Sequence, residues 1–285
     1  MPTSMSFTET DRLGECRMKY EFGFIGTGNM GGALASALSK KVSGKEILLA
    51  NRTRAKADEL AKKLGADTGE NAEVAASCKY IMLGVKPQMM KETLGAISSV
   101  LAERKDEFVL VSMAAALTCK TIQEYAGCDF PVIRIMPNTP VSVGEGVIMY
   151  CSTENAKQYT AYFAECFSEA GLVDAIDEEY IDAGCVVTGC APAYADMFME
   201  GMIEGALEIG LPKDKIRRYV EQMLLGSAKL ALESGEEPSA LRVKVCSPGG
   251  STIEGVKKLQ ELNFCGIVKE AAVASYKRTL EMKKQ

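Results

Sequence analysis

The stretch Gly26-Thr27-Gly28-Asn29-Met30-Gly31 follows an apolar run, Tyr20–Ile25, and precedes apolar residues at helical spacing. Its glycines fit the pattern G-x-G-x-x-G at the turn between a strand and a helix. In that context the first glycine permits the tight turn, the second lets the backbone approach a pyrophosphate, and the third lets the helix pack on the strand. The N-terminus of the helix then faces the phosphates. The stretch therefore predicts a Rossmann-type domain whose loop binds a dinucleotide, although a tight turn without a ligand has the same pattern.

Beyond this loop, short apolar runs alternate with segments of helical spacing through the N-terminal half of the chain. The predicted strands are Tyr20–Ile25, Glu46–Ala50, Tyr80–Val85, Phe108–Ser112, Val132–Met136 and Val147–Tyr150. The predicted helices follow the glycine loop and cover Ala57–Leu64, Pro87–Ala102 and Asn155–Ala170. Strands that are apolar throughout and are separated by helices indicate a parallel sheet covered on both faces. The fold class predicted for this half is therefore α/β, with a doubly wound sheet.

The pattern changes after about Ile176 and is helical almost to the end, without a convincing strand. Segments such as Ala193–Ile209 and Ile216–Leu232 are too apolar for a small solitary bundle, so we expect this all-α part to bury surface against a second copy. The predicted domains are a dinucleotide-binding domain at 18–176 and a helical dimerisation and substrate-binding domain at 177–285. Residues 1–17 are polar and are expected to be a disordered tail or a tag; the sequence does not decide whether they are native.

Composition excludes several classes of protein. A net charge of −5 leaves no basic field for nucleic acid or an anionic membrane surface, and no apolar run approaches the roughly 20 residues that span a bilayer. The ten cysteines form no C-x-x-C pairs and there is no histidine, so neither a metal site nor imidazole catalysis is expected. Without a secretory signal in its first 17 residues, the chain is predicted to be cytoplasmic, with free thiols.

The end of the second predicted strand selects between the nicotinamide dinucleotides. Enzymes that use NAD place Asp or Glu there to bond the ribose 2′-hydroxyl. This chain instead reads Ala50-Asn51-Arg52-Thr53-Arg54, without an acid. The planar guanidinium of Arg52 suits a 2′-phosphate, with Asn51 beside it, although an arginine that only solvates a loop has the same sequence. We therefore expect Asn51 and Arg52 to bind NADPH, with NADH as the alternative.

A second anion site is indicated near the C-terminus by the stretch Cys246-Ser247-Pro248-Gly249-Gly250-Ser251-Thr252-Ile253-Glu254. Its paired glycines let a backbone approach a ligand closely. Ser251 and Glu254 have the spacing of a capping box, which predicts that a helix starts there. The N–H groups of such a start suit a small carboxylate. A capped helix without a ligand explains the same residues, so the pattern alone leaves both interpretations open.

Together, four motifs make the chain from Met18 onward resemble the pyrroline-5-carboxylate reductase family. They are Phe24-Ile25-Gly26-Thr27-Gly28-Asn29-Met30-Gly31, Val85-Lys86-Pro87, Arg134-Ile135-Met136-Pro137-Asn138-Thr139-Pro140 and Ser247-Pro248-Gly249-Gly250-Ser251-Thr252-Ile253. The last two motifs, in this order and spacing, are far more specific than the glycine loop.

The resemblance implies roles for particular residues. Cofactor contacts are implied for Asn71, Val85, Lys86, Pro87, Met113 and Ala114. Contacts with a substrate carboxylate are implied for Ser247, Gly250, Ser251 and Thr252, with Glu178 as an acid near that pocket. Lys86 is expected to contact the cofactor through its backbone rather than to act as a catalytic amine. Asn138 either shapes the nicotinamide pocket or only holds a rigid turn between two prolines.

Two stretches depart from the family pattern. The family commonly has S-G-S-G-P-A-Y at the start of its helical domain, whereas this chain has Thr188-Gly189-Cys190-Ala191-Pro192-Ala193-Tyr194. Cys190 is a weaker hydrogen-bond donor than serine, and Ala191 requires ordinary backbone angles. Ala116 stands where glycine is usual. These departures put local pocket geometry in doubt more than the reaction.

The activity implied by the resemblance is reduction of 1-pyrroline-5-carboxylate to L-proline, the last step of proline biosynthesis. Hydride passes from NADPH to the carbon of the C=N bond, and we expect the Thr252 hydroxyl to bond the ring nitrogen and deliver or relay a proton. The implied assembly is a homodimer or a larger homo-oligomer. The alternatives are a β-hydroxyacid dehydrogenase, against which the Ser247–Ile253 stretch argues, and a non-catalytic NADP-binding protein.

Overall fold

The computed structural model describes residues 19–283, and their strands form a single eight-stranded sheet. The strands are β1 (Tyr20–Ile25), β2 (Ile47–Ala50), β3 (Asp67–Thr68), β4 (Cys78–Leu83), β5 (Val109–Ser112), β6 (Val132–Pro137), β7 (Gly146–Ser152) and β8 (Gly171–Ala175). Their order across the sheet is β3-β2-β1-β4-β5-β6-β7-β8. The order reverses between β1 and β4, which is the position where doubly wound sheets bind their ligands.

The strands from β3 to β6 are parallel, as the sequence predicts, but β7 runs antiparallel to β6. The expectation of a parallel sheet is therefore wrong at this edge. The connection from β6 to β7 is a 3₁₀ turn, Thr139–Val143, which is too short for the crossover that a parallel pair needs. The last strand, β8, is parallel to β7.

Among the described residues, seven α-helices belong to the part of the chain that contains the sheet. They are α1 (Asn29–Leu38), α2 (Arg54–Leu64), α3 (Asn71–Ser77), α4 (Pro87–Glu103), α5 (Cys119–Ala126), α6 (Lys157–Cys166) and α7 (Glu178–Cys185). Side chains of successive strand residues point to opposite faces, and Phe24 and Ile25 accordingly enter two different apolar clusters. The prediction that both faces of the sheet are covered is confirmed.

Several elements differ from the sequence-based expectation. The predicted helix over Asn155–Ala170 is shorter, because 3₁₀ turns flank α6 on both sides. The third predicted strand begins two residues earlier, at Cys78, and ends at Leu83. The pattern did not predict β3, β8, α3 or α5. Of these, β3 has two residues and β8 is a partly exposed edge strand, so neither carries a continuous apolar run.

Contacts between residues divide the chain into two units, and the second unit begins at Val186. The change of sequence pattern predicts the domain boundary after Ile176 instead. That boundary would assign α7 to the second domain, whereas the contacts assign it to the first unit. In the structure Ile181 of α7 is buried with Met136 of β6 and Met149 of β7, which makes α7 part of the first unit. The predicted tail at 1–17 lies outside the described residues.

The second unit is helical throughout its described residues. It comprises a π-helical turn at Val186–Cys190 and the helices α8 (Ala191–Glu208), α9 (Lys213–Ser234), α10 (Pro238–Lys244), α11 (Ser251–Glu261) and α12 (Phe264–Met282). Large apolar side chains are exposed on it, among them Met197, Ile209 and Leu232, of which Leu232 is 84% exposed. Within residues 19–283, no helix has both the length and the apolar character that crossing a membrane requires.

The largest fully buried side chain of the first unit is a charged one, Arg134 of β6. Its Nη2 donates to Oδ1 of Asp182 at 2.7 Å, and its Nη1 lies 3.4 Å from Oε1 of Glu178. The same Glu178 oxygen accepts the backbone N–H of Cys119 at 2.7 Å. Arg134 and Glu178 therefore connect a central strand to the start of α5 and to α7.

Breaking the Arg134–Asp182 pair is expected to destabilise the first unit strongly. In Asp182→Asn the buried guanidinium loses its nearest negative charge, and we expect the free energy of unfolding to fall by about 3 kcal/mol in urea denaturation. The control is Glu221→Gln, which breaks the exposed 2.6 Å pair with Arg217 on α9 and should leave stability unchanged. Equal losses in the two variants would contradict the structural role of the buried pair.

Candidate functional site

The predicted cofactor residues of the first unit follow the carboxyl ends of adjacent strands. The Gly26–Gly31 loop follows β1, Asn51 and Arg52 follow β2, Val85-Lys86-Pro87 follows β4, and Met113 and Ala114 follow β5. Asn71 is the first residue of α3, just beyond β3. Since these strands are parallel neighbours, the structure brings all of these positions to one edge of the sheet, at the point where the strand order reverses.

The three glycines of the loop are required for different reasons. Gly26 has φ +99°, and a Cβ there would lie 2.8 Å from the backbone of Gly84. A Cβ on Gly31 would overlap the carbonyl oxygen of Gly26. A Cβ on Gly28, in contrast, would meet no atom within 4 Å. Packing therefore explains Gly26 and Gly31, whereas the space beside Gly28 is open on the side where a dinucleotide phosphate is expected.

The polar groups of this loop suit an anion. Gly28 is the N-cap of α1, where no side chain caps the helix, and the first helical hydrogen bond runs from the Gly32 N–H to the Gly28 carbonyl. The earlier N–H groups of the first turn therefore have no acceptor within the helix. The hydroxyl of Thr27 is also buried without a hydrogen-bond partner among the described residues. The loop thus offers donors and space that fit a pyrophosphate.

The two arginines after β2 have different surroundings. Arg54 is held by Asp58 at 3.0 Å, by Glu70 at 3.3 Å and by the Thr68 hydroxyl at 2.7 Å. Arg52 is exposed and forms no hydrogen bond or ion pair with any residue in 19–283. Asn51 is oriented at the base of the loop, since its Oδ1 accepts the Thr27 N–H at 3.2 Å. Of these two arginines, Arg52 is therefore the one whose guanidinium has no partner within the described residues.

Backbone contacts hold the other cofactor positions. The Gly84 N–H donates to the Ile25 carbonyl at 2.8 Å, which joins the turn after β4 to the base of the glycine loop. Lys86 is the exposed N-cap of α4, and Pro87 is its first residue, as the sequence suggests. The Met113 N–H lies 3.5 Å from the Leu83 carbonyl. These backbone turns face the same edge as the loop.

Ala116, which replaces the usual family glycine, lies in the turn between β5 and α5. Its φ is +66°, in the left-handed region where a Cβ is unfavourable. Ala116 therefore has a backbone conformation that glycine adopts more easily than alanine.

Asn138 and Glu178 both make contacts within the first unit. The Asn138 Oδ1 accepts the Val147 N–H at 2.8 Å, and the Asn138 N–H donates to the Val147 carbonyl at 3.2 Å, so Asn138 holds the turn between β6 and β7. Glu178 is bonded to Cys119 and Arg134, and 36% of its side chain is exposed.

The sequence pattern predicted neither Asp182 as a site residue nor the burial of Arg134, although a charged residue inside an apolar strand was a signal.

The predicted substrate loop belongs to the second unit. Gly249 has φ +71°, and α11 begins at Ser251 as expected. The predicted capping box is wrong, because Gly250 occupies the N-cap and Glu254 pairs with Lys257 at 2.7 Å instead. No side chain caps the helix, so its first N–H groups lack a capping acceptor. Thr252 is exposed, and its hydroxyl forms no hydrogen bond within residues 19–283.

The stretch that departs from the family pattern lies at the start of the second unit. Thr188, Gly189 and Cys190 fall in the π-helical turn, an uncommon element that is frequent at functional sites. Tyr194 keeps a structural contact, since its hydroxyl lies 2.5 Å from Oγ of Ser275 and thereby links α8 to α12.

A doubly wound sheet, a glycine loop with an open side and a helical second unit define a dinucleotide-dependent oxidoreductase of the Rossmann type. Residues 21–116 match the family model described as NADP oxidoreductase coenzyme F420-dependent, and residues 178–282 match the model for pyrroline-5-carboxylate reductase dimerisation. The pyrroline-5-carboxylate reductase of Escherichia coli is 37% identical over 273 residues, which cover 94% of this chain and 100% of that protein. The chain belongs to the pyrroline-5-carboxylate reductase family.

Solved structures of the same family have this fold. The pyrroline-5-carboxylate reductase of Coxiella burnetii has a TM-score of 0.84 at 30% identity, covering 92% of this chain and 98% of that one. The pyrroline carboxylate reductase of Plasmodium falciparum, solved with NADP bound, has a TM-score of 0.82 at 27% identity, covering 94% and 99%.

The contrast between two glycines tests the cofactor loop. We expect Gly28→Ala to fold with a stability within about 0.5 kcal/mol of the parent protein but to bind NADPH at least about tenfold more weakly, because its methyl group enters the open space. Gly31→Ala should lose more than about 2 kcal/mol of stability, since its methyl group overlaps backbone. Thermal melts and NADPH fluorescence titrations measure both. A Gly28→Ala protein with unchanged NADPH affinity would contradict this assignment.

Proposed function

We propose that this chain reduces 1-pyrroline-5-carboxylate to L-proline with NADPH as hydride donor, the last step of proline biosynthesis. The observation that carries the proposal is full-length similarity to proteins named pyrroline-5-carboxylate reductase, including the 37% identity to the E. coli protein over its whole length. The predicted cofactor positions meet at one edge of the sheet, which supports the dinucleotide half of the proposal.

Several residues are proposed to hold the cofactor. Its pyrophosphate lies on the Gly26–Gly31 loop, its 2′-phosphate on Arg52 with Asn51 beside it, and its adenosine near Asn71. Val85, Lys86, Pro87, Met113 and Ala114 form the backbone turns on the nicotinamide side. The absence of an ion-pair partner for Arg52 within the described residues supports NADPH over NADH. When bound, the cofactor supplies the hydride from C4 of its nicotinamide ring.

The substrate is proposed to bind at the start of α11. The uncapped N–H groups after Gly250, together with the side chains of Ser247 and Ser251, bind its ring carboxylate. The Thr252 hydroxyl bonds the ring nitrogen and delivers or relays the proton. A protonated imine is already electrophilic, so the reaction needs no strong acid, which agrees with a chain that contains no histidine. Glu178, the acid that the family resemblance implies for substrate binding, belongs to the first unit and has a partly exposed side chain.

We also propose that the working form is a homodimer or a larger homo-oligomer built through the C-terminal helices. Residues 178–282 match a dimerisation model, and the helices of the second unit expose large apolar side chains such as Ile209, which is 77% exposed. A second copy of the chain would cover such side chains. A cytoplasmic location stays a prediction from the sequence.

The proposal is tested by following NADPH absorbance with 1-pyrroline-5-carboxylate as substrate. We expect substrate-dependent oxidation of NADPH with formation of proline, and a higher kcat/KM with NADPH than with NADH. Activity on 3-hydroxyisobutyrate without activity on pyrroline-5-carboxylate would identify a β-hydroxyacid dehydrogenase. Tight binding of NADPH without turnover of either substrate would identify a non-catalytic NADP-binding protein. Either result overturns the proposal.

The role of Thr252 is tested by Thr252→Ala, with Thr252→Ser as the matched control. We expect kcat/KM for pyrroline-5-carboxylate to fall at least about tenfold in the alanine variant, because the ring nitrogen loses its donor. The serine variant keeps a hydroxyl and should retain most activity, and KM for NADPH should change little in both. A kcat/KM that stays within about threefold, or ~0.7 kcal/mol, of the parent value in Thr252→Ala excludes the catalytic role.

A further inference from the structure

The first unit brings together two cysteines that are far apart in the sequence. Cys119 is the first residue of α5 and Cys151 lies in β7. Their sulfur atoms and a carboxylate oxygen of Glu178 all lie within 4.8 Å of one another. We propose that Cys151 is a peroxide-sensitive thiol and that Cys119 converts its oxidised form to an intrachain disulfide. The proposal is independent of the reductase activity.

The surroundings of Cys151 favour the thiolate, which is the nucleophilic form of cysteine. Cys119, whose sulfur lies within 4.8 Å, and Arg134, directly opposite in the β6–β7 pair, hold the pKa of Cys151 below its usual range against the effects of burial and of Glu178. The Arg134 Nε is also buried without a hydrogen-bond partner in the described part of the chain.

Cys119 is suited to be the resolving thiol, which reacts with the oxidised form of Cys151. The neighbouring Cys151 sulfur, burial and the nearby Glu178 carboxylate all raise the pKa of the Cys119 thiol, which favours its protonated form. Its backbone is fixed because its N–H donates to Glu178 Oε1 at 2.7 Å. A disulfide needs a sulfur separation of about 2 Å, so the sulfurs have to approach each other by at most about 3 Å.

Small oxidants have access to Cys151 but not to Cys119. Cys151 is half-buried and lines a cleft of about 600 Å³ together with Tyr150, Glu178 and Tyr180. Cys119 is 5% exposed. A partly exposed thiol beside a shielded second thiol is a usual arrangement of a reversible oxidation site.

The chemistry balances with one hydroperoxide as oxidant. The Cys151 thiolate attacks a peroxide oxygen, the O–O bond breaks, and Cys151 sulfenic acid and hydroxide form. The Cys119 sulfur then attacks the Cys151 sulfur; the S–O bond breaks, the S–S bond forms, and the hydroxyl leaves as water with the thiol proton. The two sulfurs together lose two electrons and the peroxide gains them. A dithiol reductant reverses the reaction.

A soft divalent cation such as Zn²⁺ is the rival occupant, because two sulfurs and a carboxylate can act as its ligands. The structure favours oxidation over metal binding. Glu178 is already bonded to a backbone N–H and to the Arg134 guanidinium, and that fixed positive charge opposes a cation.

The test uses the full chain, reduced and then exposed to a few equivalents of hydrogen peroxide, followed by alkylation and peptide mass mapping. We expect loss of two thiols, a Cys119–Cys151 cross-linked peptide lighter by two hydrogens, and reversal by dithiothreitol. Cys151 should react at least about tenfold faster than the exposed Cys128 and Cys265. The buried Cys78, whose pKa burial raises to about 12, should not react.

Two variants separate the steps. Cys119→Ser should stop at a Cys151 sulfenic acid that a cyclic 1,3-diketone traps, and Cys151→Ser should leave Cys119 unreacted. Cys128→Ser is the matched control and should form the same disulfide. If a variant fails to fold, the map of the parent chain still identifies the pair and the order of reaction. Oxidation of Cys151 no faster than that of Cys128, a different cross-link, or protection of both thiols by one equivalent of Zn²⁺ overturns the proposal.

Discussion

The backbone of Gly26 packs against that of Gly84 so closely that a side chain on Gly26 has no room. This contact joins the carboxyl ends of β1 and β4 where the strand order reverses. Gly31 extends the same constraint to α1, because its Cα must pass the Gly26 carbonyl. These contacts place the N-terminus of α1 at the carboxyl ends of the strands. The predicted contacts with the dinucleotide depend on that placement.

A second constraint acts further along the sheet and is electrostatic. Arg134 is fully buried in β6, and its partners Glu178 and Asp182 both belong to α7. Because Glu178 also accepts the first N–H of α5, the buried charge of Arg134 connects β6 to the starts of two helices. The same charge lies opposite Cys151 in the β6–β7 pair. The charge that stabilises this part of the sheet therefore also lies beside its two thiols.

The sequence allowed prediction of the features that depend on local pattern. Apolar periodicity predicted six strands of the sheet, and glycine spacing predicted the loop between β1 and α1. Features that depend on distant residues were not predictable: the Arg134–Asp182 pair and the meeting of Cys119 with Cys151 join positions that are far apart in sequence. The antiparallel β7 follows from the short connection after β6, which the apolar pattern of the strands does not reveal. At α11 the spacing of Ser251 and Glu254 was misleading, because Gly250 takes the N-cap and Glu254 pairs with Lys257.

The proposed reaction is direct transfer of hydride from NADPH to the C=N bond of 1-pyrroline-5-carboxylate on this chain. Turnover with NADPH that carries deuterium at the transferred C4 position tests this step, with mass spectrometry of the product. Direct hydride transfer gives proline with one deuterium, on the ring carbon that was doubly bonded to nitrogen. Proline without deuterium, or deuterium at another carbon, would contradict direct hydride transfer.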